Sequence, residues 1–235
     1  MVRGSSSSSR GALARCVRIS TVPVTLPSLD LSLRLITPAS PLWRATEAEV
    51  PFEHPPYWGF LWPGGYAVAR YATEQTDSVR GRRVLDFGAG CGVCGIAALA
   101  AGAQSVVAND IDALALASVE VNANAAGFSS GSISLDERDL IGNVVDLSDI
   151  HTVLAGDMTY DEEATAKGMD WLIELAETPA RDGSQRTVLI GDPGRSFIGV
   201  HDAVLEQVGR YALPPAVLEA NSGFTHANVF RVSPS

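Results

Sequence analysis

From Arg82 onward the chain alternates short runs that are apolar at nearly every position, such as VLDF (84–87) and TVLIG (187–191), with longer stretches whose apolar residues recur at helical spacing. A strand that is apolar on successive positions is buried on both faces, as in a parallel sheet covered by helices. The pattern predicts strands at 83–87, 105–109, 132–136, 151–155 and 187–191, with helices near 92–102, 113–126 and 162–177. Within the last helix Met169, Leu172, Ile173 and Ala176 share one face, so that stripe is core. Strand and helix in alternation call for a mostly parallel sheet with helices on both sides. Upstream, LDLSLRLI (29–36) puts Leu31, Leu33 and Leu35 on one face and Ser32 and Arg34 on the other, a half-buried strand that TPASP (37–41) ends. PFEHPPYWGFLWPGG (51–65), dense in proline, glycine and aromatics, reads as an ordered loop leading into a helix from about Gly65 to Glu74. At the far end, Ala216 to Ala220 and His226 to Val232 read as two strands joined by NSGFT, an antiparallel hairpin closing one edge.

In open sheets of this kind ligands lie off the carboxyl ends of the strands, so the residues just after each strand carry the candidate chemistry. In RRVLDFGAGCGVCG (82–95) a buried strand runs into Gly88, Gly90 and Gly92, which let backbone pass close to a ligand. Asp86 lies two residues before the first glycine, where a carboxylate can meet a cationic ligand group. Asp110 ends the next strand, where it can accept both hydroxyls of a ribose, and Ile111 follows it. Together they describe a pocket for a nucleoside carrying positive charge, and S-adenosylmethionine, with its ammonium and sulfonium, fits. GCGVCG (90–95) also matches the dinucleotide fingerprint. In that reading Asp86 would stand against an anionic pyrophosphate and repel it. After the third strand Asp139 could accept from an adenine amino group or cap the next turn. After the fourth comes GDMTYDE (156–162), with Asp157 and Tyr160 facing the place where a methyl group would leave. Trp62 is either a wall of the cofactor pocket or a packed loop anchor. DPGR (192–195) is a turn from which Arg195 could bind an acidic group on a partner.

Composition narrows the field. With 235 residues and no compositional break, one well-buried domain is expected over 29–235, preceded by a transit peptide or disordered tail over 1–28. That leader holds Arg3, Arg10, Arg15 and Arg18, a serine run and no acid before Asp30, which resembles an organelle transit peptide. Mitochondrial matrix is the expected location, with chloroplast or cytoplasm as alternatives. The leader has no apolar core long enough for a secretory signal, and no membrane span is expected. A net charge of −10 argues against a nucleic-acid partner, which would need a basic face. Cys16, Cys91 and Cys94 make no disulfide framework, and the C-x-x-C at 91–94 lacks a second pair to complete a zinc site. His54, His151, His201 and His226 are scattered without ligand spacing, so no metal is expected. Oligomeric state is not readable from the sequence.

The glycine loop and the acid after it resemble motif I and the following acidic motif of class I methyltransferases. A D-x-x-Y after the fourth strand marks a group of seven-strand protein lysine methyltransferases. The combination of PPYWGFLWPGG (55–65), VLDFGAGCG (84–92), GDMTYDE (156–162) and GDPGR (191–195) resembles the electron transfer flavoprotein beta subunit lysine methyltransferase family, from about Leu29 to the C-terminus. The resemblance implies a Rossmann-like class I methyltransferase fold, a seven-stranded sheet with a C-terminal antiparallel hairpin. It also implies S-adenosylmethionine as cofactor and a protein lysine as acceptor, on the electron transfer flavoprotein beta subunit. Two positions depart from the family pattern: Tyr66, where relatives usually carry glutamine, and Thr159, where a larger or aromatic residue is common. Both bear on the acceptor more than on the cofactor. Three other readings remain open at this stage: a methyltransferase for another protein or a small amine, a cofactor-binding regulatory module without turnover, and a nucleotide-dependent oxidoreductase.

Overall fold

Apolar runs of four or five residues become the central strands. Arg83–Phe87 (β3), Ser105–Asn109 (β4), Ile133–Asp136 (β5), Thr152–Gly156 (β6) and Thr187–Asp192 (β7) pair in parallel. They are joined by Val93–Ala100 (α2), Ala113–Ala125 (α3) and Glu162–Glu177 (α4). The computed structural model describes residues 20–26, 29–46, 49, 50, 52, 55–129, 131–159, 162–195, 198, 204–221 and 223–233. Leu205–Ala212 (β8) and His226–Val232 (β9) complete a seven-stranded sheet in the order β5-β4-β3-β6-β7-β9-β8. β9 runs antiparallel to both of its neighbours.

The two-residue alternation of each strand builds two cores. Val84, Val106, Leu154 and Leu189 face one way, against α2, α3 and the helix Pro63–Glu74 (α1). Leu85, Phe87, Val153 and Ile190 face the other way, against Met169, Leu172 and Ala176 of α4, which confirms the predicted stripe. The chain travels outward from β3 through β4 to β5, then returns to lay β6 on the opposite side of β3. The carboxyl ends of β3 and β6 therefore diverge around a crevice, the place where such sheets hold ligands.

The sequence reading needs correction at both ends. Residues 216–220 are not a strand: Pro215–Ala220 forms a short helix, α5, with proline in its first turn and Val217 as its one buried residue. The hairpin partner of β9 is β8, whose register shifts between Gln207 and Gly209. Upstream, Ser20–Leu26 forms β1 and pairs antiparallel with Leu29–Leu35 (β2), so the folded part reaches back before residue 29 to at least Ser20. Val24 and Leu26 are buried together with Leu31, Leu33 and Leu35. Residues 1–19, which hold most of the predicted leader, lie outside the described residues.

The aromatic loop is ordered by packing. Trp58 is buried against Ile36 and Ala115 and Ala117 of α3, and Gly59 approaches so closely that a Cβ there would lie 2.3 Å from Ile36 Cδ1. Asn122, fully buried on α3, donates from Nδ2 to the Cys91 carbonyl at 2.8 Å and accepts the Arg34 N–H at 2.6 Å. One amide thus fastens the N-terminal hairpin to the glycine loop.

Candidate active site

Gly88, Gly90 and Gly92 have φ of 63°, 52° and 81°, the left-handed region that glycine enters at no steric cost. The loop they form is pinned to the end of β4. Ala89 N–H donates to the Asn109 carbonyl at 2.9 Å, and Gly90 N–H donates to Asp110 Oδ2 at 2.9 Å. Asp110 Oδ1 accepts from Asp112 N–H at 3.0 Å, so each oxygen has one partner and retains a lone pair, as a vicinal diol would require. Burial pushes the Asp110 carboxyl up. Beside it Ile111 stands 71% exposed, a bare apolar side chain at the tip of β4. Asp139 is exposed, and its Oδ1 accepts from Ile141 N–H at 3.0 Å, which closes the turn.

Asp86 points to the same side of the sheet as Val84. It is 1% exposed and accepts the Gly95 N–H of α2 at 2.8 Å. Among the described residues no cationic side chain pairs with it, and burial pushes its carboxyl up to about 7. A buried acid in this condition lacks the cation that would stabilise its charge.

Across the crevice Asp157 leaves β6 with φ of 58°, and it is the only non-glycine residue at positive φ among the described residues. Its Oδ2 accepts the Gly65 N–H at 2.8 Å and its Oδ1 accepts from Arg195 Nη1 at 2.5 Å. Burial pushes the Asp157 carboxyl up, while the Arg195 guanidinium and the Gly65 N–H pull it back. Arg195 is itself held by Asp192 and lies over the Phe224 ring at 5.5 Å. The partner for which Arg195 was available in the sequence reading is therefore Asp157 of the same chain. Thr159, one of the two departures from the family pattern, hydrogen-bonds Asp192 Oδ2. Tyr160 lies outside the described residues.

Glycines decide how α1 reaches Asp157. A Cβ on Gly64 would lie 2.1 Å from the Gly191 carbonyl oxygen, and one on Gly156 would lie 2.6 Å from Gly65 Cα. Only bare backbone lets the start of α1 rest on the ends of β6 and β7. The N-cap residue Trp62 supplies no side-chain hydrogen bond, so Asp157 satisfies one of the free N–H groups of that helix and lies at its positive end. We expect Gly64→Ala to push α1 away, with a loss of about 1–3 kcal/mol in stability and of most activity. Chemical denaturation and a turnover assay would show it.

Trp62 is half-buried; its Nε1 donates to the Tyr57 carbonyl at 2.8 Å, and its ring meets those of Tyr57 and Phe60 at 6.0 and 5.7 Å. It anchors the loop directly beside the Asp157 end of the crevice. Met158 packs its sulfur onto Gly88, bridging the two lobes of the site. Cys91 and Cys94 are buried, with burial pushing the Cys91 thiol up to about 12 and Cys94 upward as well, so both remain protonated and unreactive. Sequence reasoning missed the pairing of Asp157 with Arg195, the clamp at Asn122 and the glycine junction under α1.

The lysine methyltransferase family matches residues 58–183. The electron transfer flavoprotein beta subunit lysine methyltransferase of Danio rerio is 40% identical over 205 residues, 86% of this chain and 75% of that protein. The Homo sapiens protein of the same name is 35% identical, covering 87% of this chain and 75% of its own. Among solved structures, a protein from Pyrococcus horikoshii assigned as an RNA methyltransferase superposes with a TM-score of 0.56 at 16% identity, over 82% of this chain and 94% of the other, a likeness of fold alone. With a family match over more than half its length and relatives of this identity along most of it, the chain belongs to the lysine methyltransferases, in the group named for the electron transfer flavoprotein beta subunit.

Proposed function

We propose that this S-adenosylmethionine-dependent lysine methyltransferase acts on the electron transfer flavoprotein beta subunit in the mitochondrial matrix. The single observation that carries the substrate is the similarity to proteins named for it, at 40% identity over 86% of this chain. The arginine-rich, acid-poor residues ahead of β1 support the location.

The residues at the strand tips fit the cofactor. Asp86 is a buried acid with no cationic side chain beside it among the described residues, matched to the ligand's ammonium. Asp110 keeps two acceptor positions for the ribose hydroxyls, Ile111 offers an apolar face for the adenine, and the Gly88–Gly92 loop leaves its backbone bare. Asp139, whose Oδ1 closes its turn, offers its other oxygen to the adenine amino group. Trp62, the residue before α1, is the candidate wall of the cofactor pocket.

When bound, S-adenosylmethionine supplies a methyl group on a sulfonium, whose sulfur keeps the bonding pair as the methyl departs. The protein's task is to present a neutral amine in line with that bond and to keep water out. A lysine of ordinary pKa is neutral about once in 2,500 at pH 7, roughly 4–5 kcal/mol of access cost. Asp157 captures the ammonium and orients it, Tyr160 offers its ring or hydroxyl to the same nitrogen, and the proton leaves to water. The amine lone pair then forms the nitrogen–carbon bond, and the product is a methylated ammonium.

Incubating the enzyme with recombinant electron transfer flavoprotein beta subunit and labelled cofactor, followed by peptide mass spectrometry, tests the substrate. Increments of one labelled methyl group or its multiples on lysines are expected, with incorporation about 100-fold less efficient for the Asp157→Asn variant. An unlabelled subunit, with label instead on another matrix protein or on a small amine, would overturn the assignment.

A further inference from the structure

Two buried carboxylates, Asp157 and Asp192, share one guanidinium. Arg195 Nη1 lies 2.5 Å from Asp157 Oδ1 and 3.4 Å from Asp192 Oδ2, with its side chain only 17% exposed. Asp192 is fully buried and spends Oδ1 on the Gly194 and Arg195 N–H groups, at 2.6 and 2.7 Å, and Oδ2 on the Thr159 hydroxyl. Asp192 holds the turn, and the guanidinium lies over the Phe224 ring. With both carboxylates ionised the three side chains carry a formal charge of −1, and among the described residues no second cationic side chain balances it.

We infer that Arg195 and Asp192 form with Asp157 a receptor whose net charge of −1 is completed by the acceptor lysine's ammonium, and that Arg195 is the positioning residue which keeps that ammonium from being held too tightly to react. This deepens the reading of Asp157 as the capturing carboxylate and rests on it. A lone buried carboxylate would bind an ammonium strongly and stabilise its charged, unreactive form. A guanidinium on the far side of the same carboxylate weakens that hold, easing proton loss, while fixing the oxygen that receives the amine. The other groups facing Asp157 do not duplicate this. Gly65 offers an uncharged N–H from α1, Cys91 and Cys94 are protonated thiols in the glycine loop and α2, and Asp86 behind them is another acid.

The test is the pH profile of kcat and KM for the protein substrate, with cofactor affinity by calorimetry as a check on folding. Arg195→Gln removes the charge. Its acid limb of kcat should move up by about one unit or more, with cofactor affinity within about threefold of the parent. Arg195→Lys keeps the charge but loses the planar guanidinium whose Nη1 lies between the two carboxylates, so it should retain the parental limb with a lower kcat. Asp192→Asn keeps the acceptor for the turn and removes one negative charge; its limb should move down and KM for the protein should rise. Opposite shifts in the Gln and Asn variants support the inference. An Arg195→Gln limb at the parental position overturns it, as does an Arg195→Lys limb that moves like that of Gln. If Arg195→Gln binds no cofactor, the Asp192→Asn and Arg195→Lys variants decide: an unmoved limb in the first, or a shifted one in the second, overturns it. Asp157→Asn runs in parallel. Full activity there sinks the capture reading itself, whereas an inactive Asp157→Asn with unmoved Arg195 and Asp192 profiles sinks only this inference.

Discussion

Asp86→Asn should make the unliganded enzyme more stable at neutral pH and at the same time abolish its useful affinity for S-adenosylmethionine. The carboxyl is buried with no cationic partner among the described residues and is pushed up to about 7 from 3.8, burial being the main cause and the Gly95 N–H opposing it. For an acid whose folded value is raised, the protonated form favours folding. That contribution is complete below about 3.8, is lost progressively as pH rises to about 7, and is absent above. The parent without ligand should therefore lose stability across that window because of this group, and the asparagine variant should not. A gap of this size gives about 4 kcal/mol as an upper bound, and about 2 kcal/mol once the new amide's own desolvation is subtracted. Binding has the opposite preference, because the ligand's ammonium needs the ionised acid. Affinity of the parent should rise about tenfold per unit toward pH 7 and level off above it, while the variant binds about 100-fold more weakly with a flat profile. Thermal melts across pH 4–9 and calorimetry at matched pH would check both halves. A variant that is less stable and still binds normally would make Asp86 a brace for α2 instead of a ligand group.

The same residue illustrates what the sequence made legible. Strands buried on both faces advertise themselves as unbroken apolar runs, so β3, β4, β6 and β7 could be read almost to the residue, and with them every position at a strand tip. Asp86, Gly88, Gly90, Gly92 and Asp110 follow from local spacing because the loop that holds them is itself local. Strands at the margins do not have that signal. β8 is an edge strand with a register shift and exposed Glu206 and Gln207, so its period is broken. β1 carries Pro23 between its inward-facing residues and reads as a tail until β2 is laid beside it.

Long-range partners are harder to read for a different reason. Arg195 and Asp157 are 38 positions apart and meet because β6 and β7 are adjacent, which no local pattern encodes. Gly64 and Gly65 look like ordinary turn residues; their meaning lies in Gly156 and Gly191, which remove the side chains that would hold α1 away. Asn122 is one of four polar residues in an alanine-rich helix, and nothing in its neighbourhood announces that its amide spans two other elements. Each of these is a contact between elements, legible only when the sheet order is known.

Asp157→Asn is expected to lower kcat/KM for the protein substrate about 100-fold while leaving S-adenosylmethionine affinity within about threefold. Asparagine is the informative replacement because of the backbone. At φ of 58° an alanine would add strain of about 1 kcal/mol, whereas asparagine enters this region readily and its carbonyl oxygen can still accept the Gly65 N–H. The start of α1 therefore stays in place, and the glycine loop, Asp86 and Asp110 are untouched. What disappears is a negative charge facing the acceptor: Arg195 is left balanced by Asp192 alone, the assembly becomes neutral, and an incoming ammonium finds no site that its charge completes. Single-turnover kinetics with calorimetry on the same preparation separate the possibilities. Lost turnover with retained affinity places Asp157 on the acceptor. Loss of both would mean that the carboxylate chiefly seats α1 over the crevice, in which case Gly64→Ala should reproduce it. Turnover at the parental rate would remove Asp157 from the chemistry altogether.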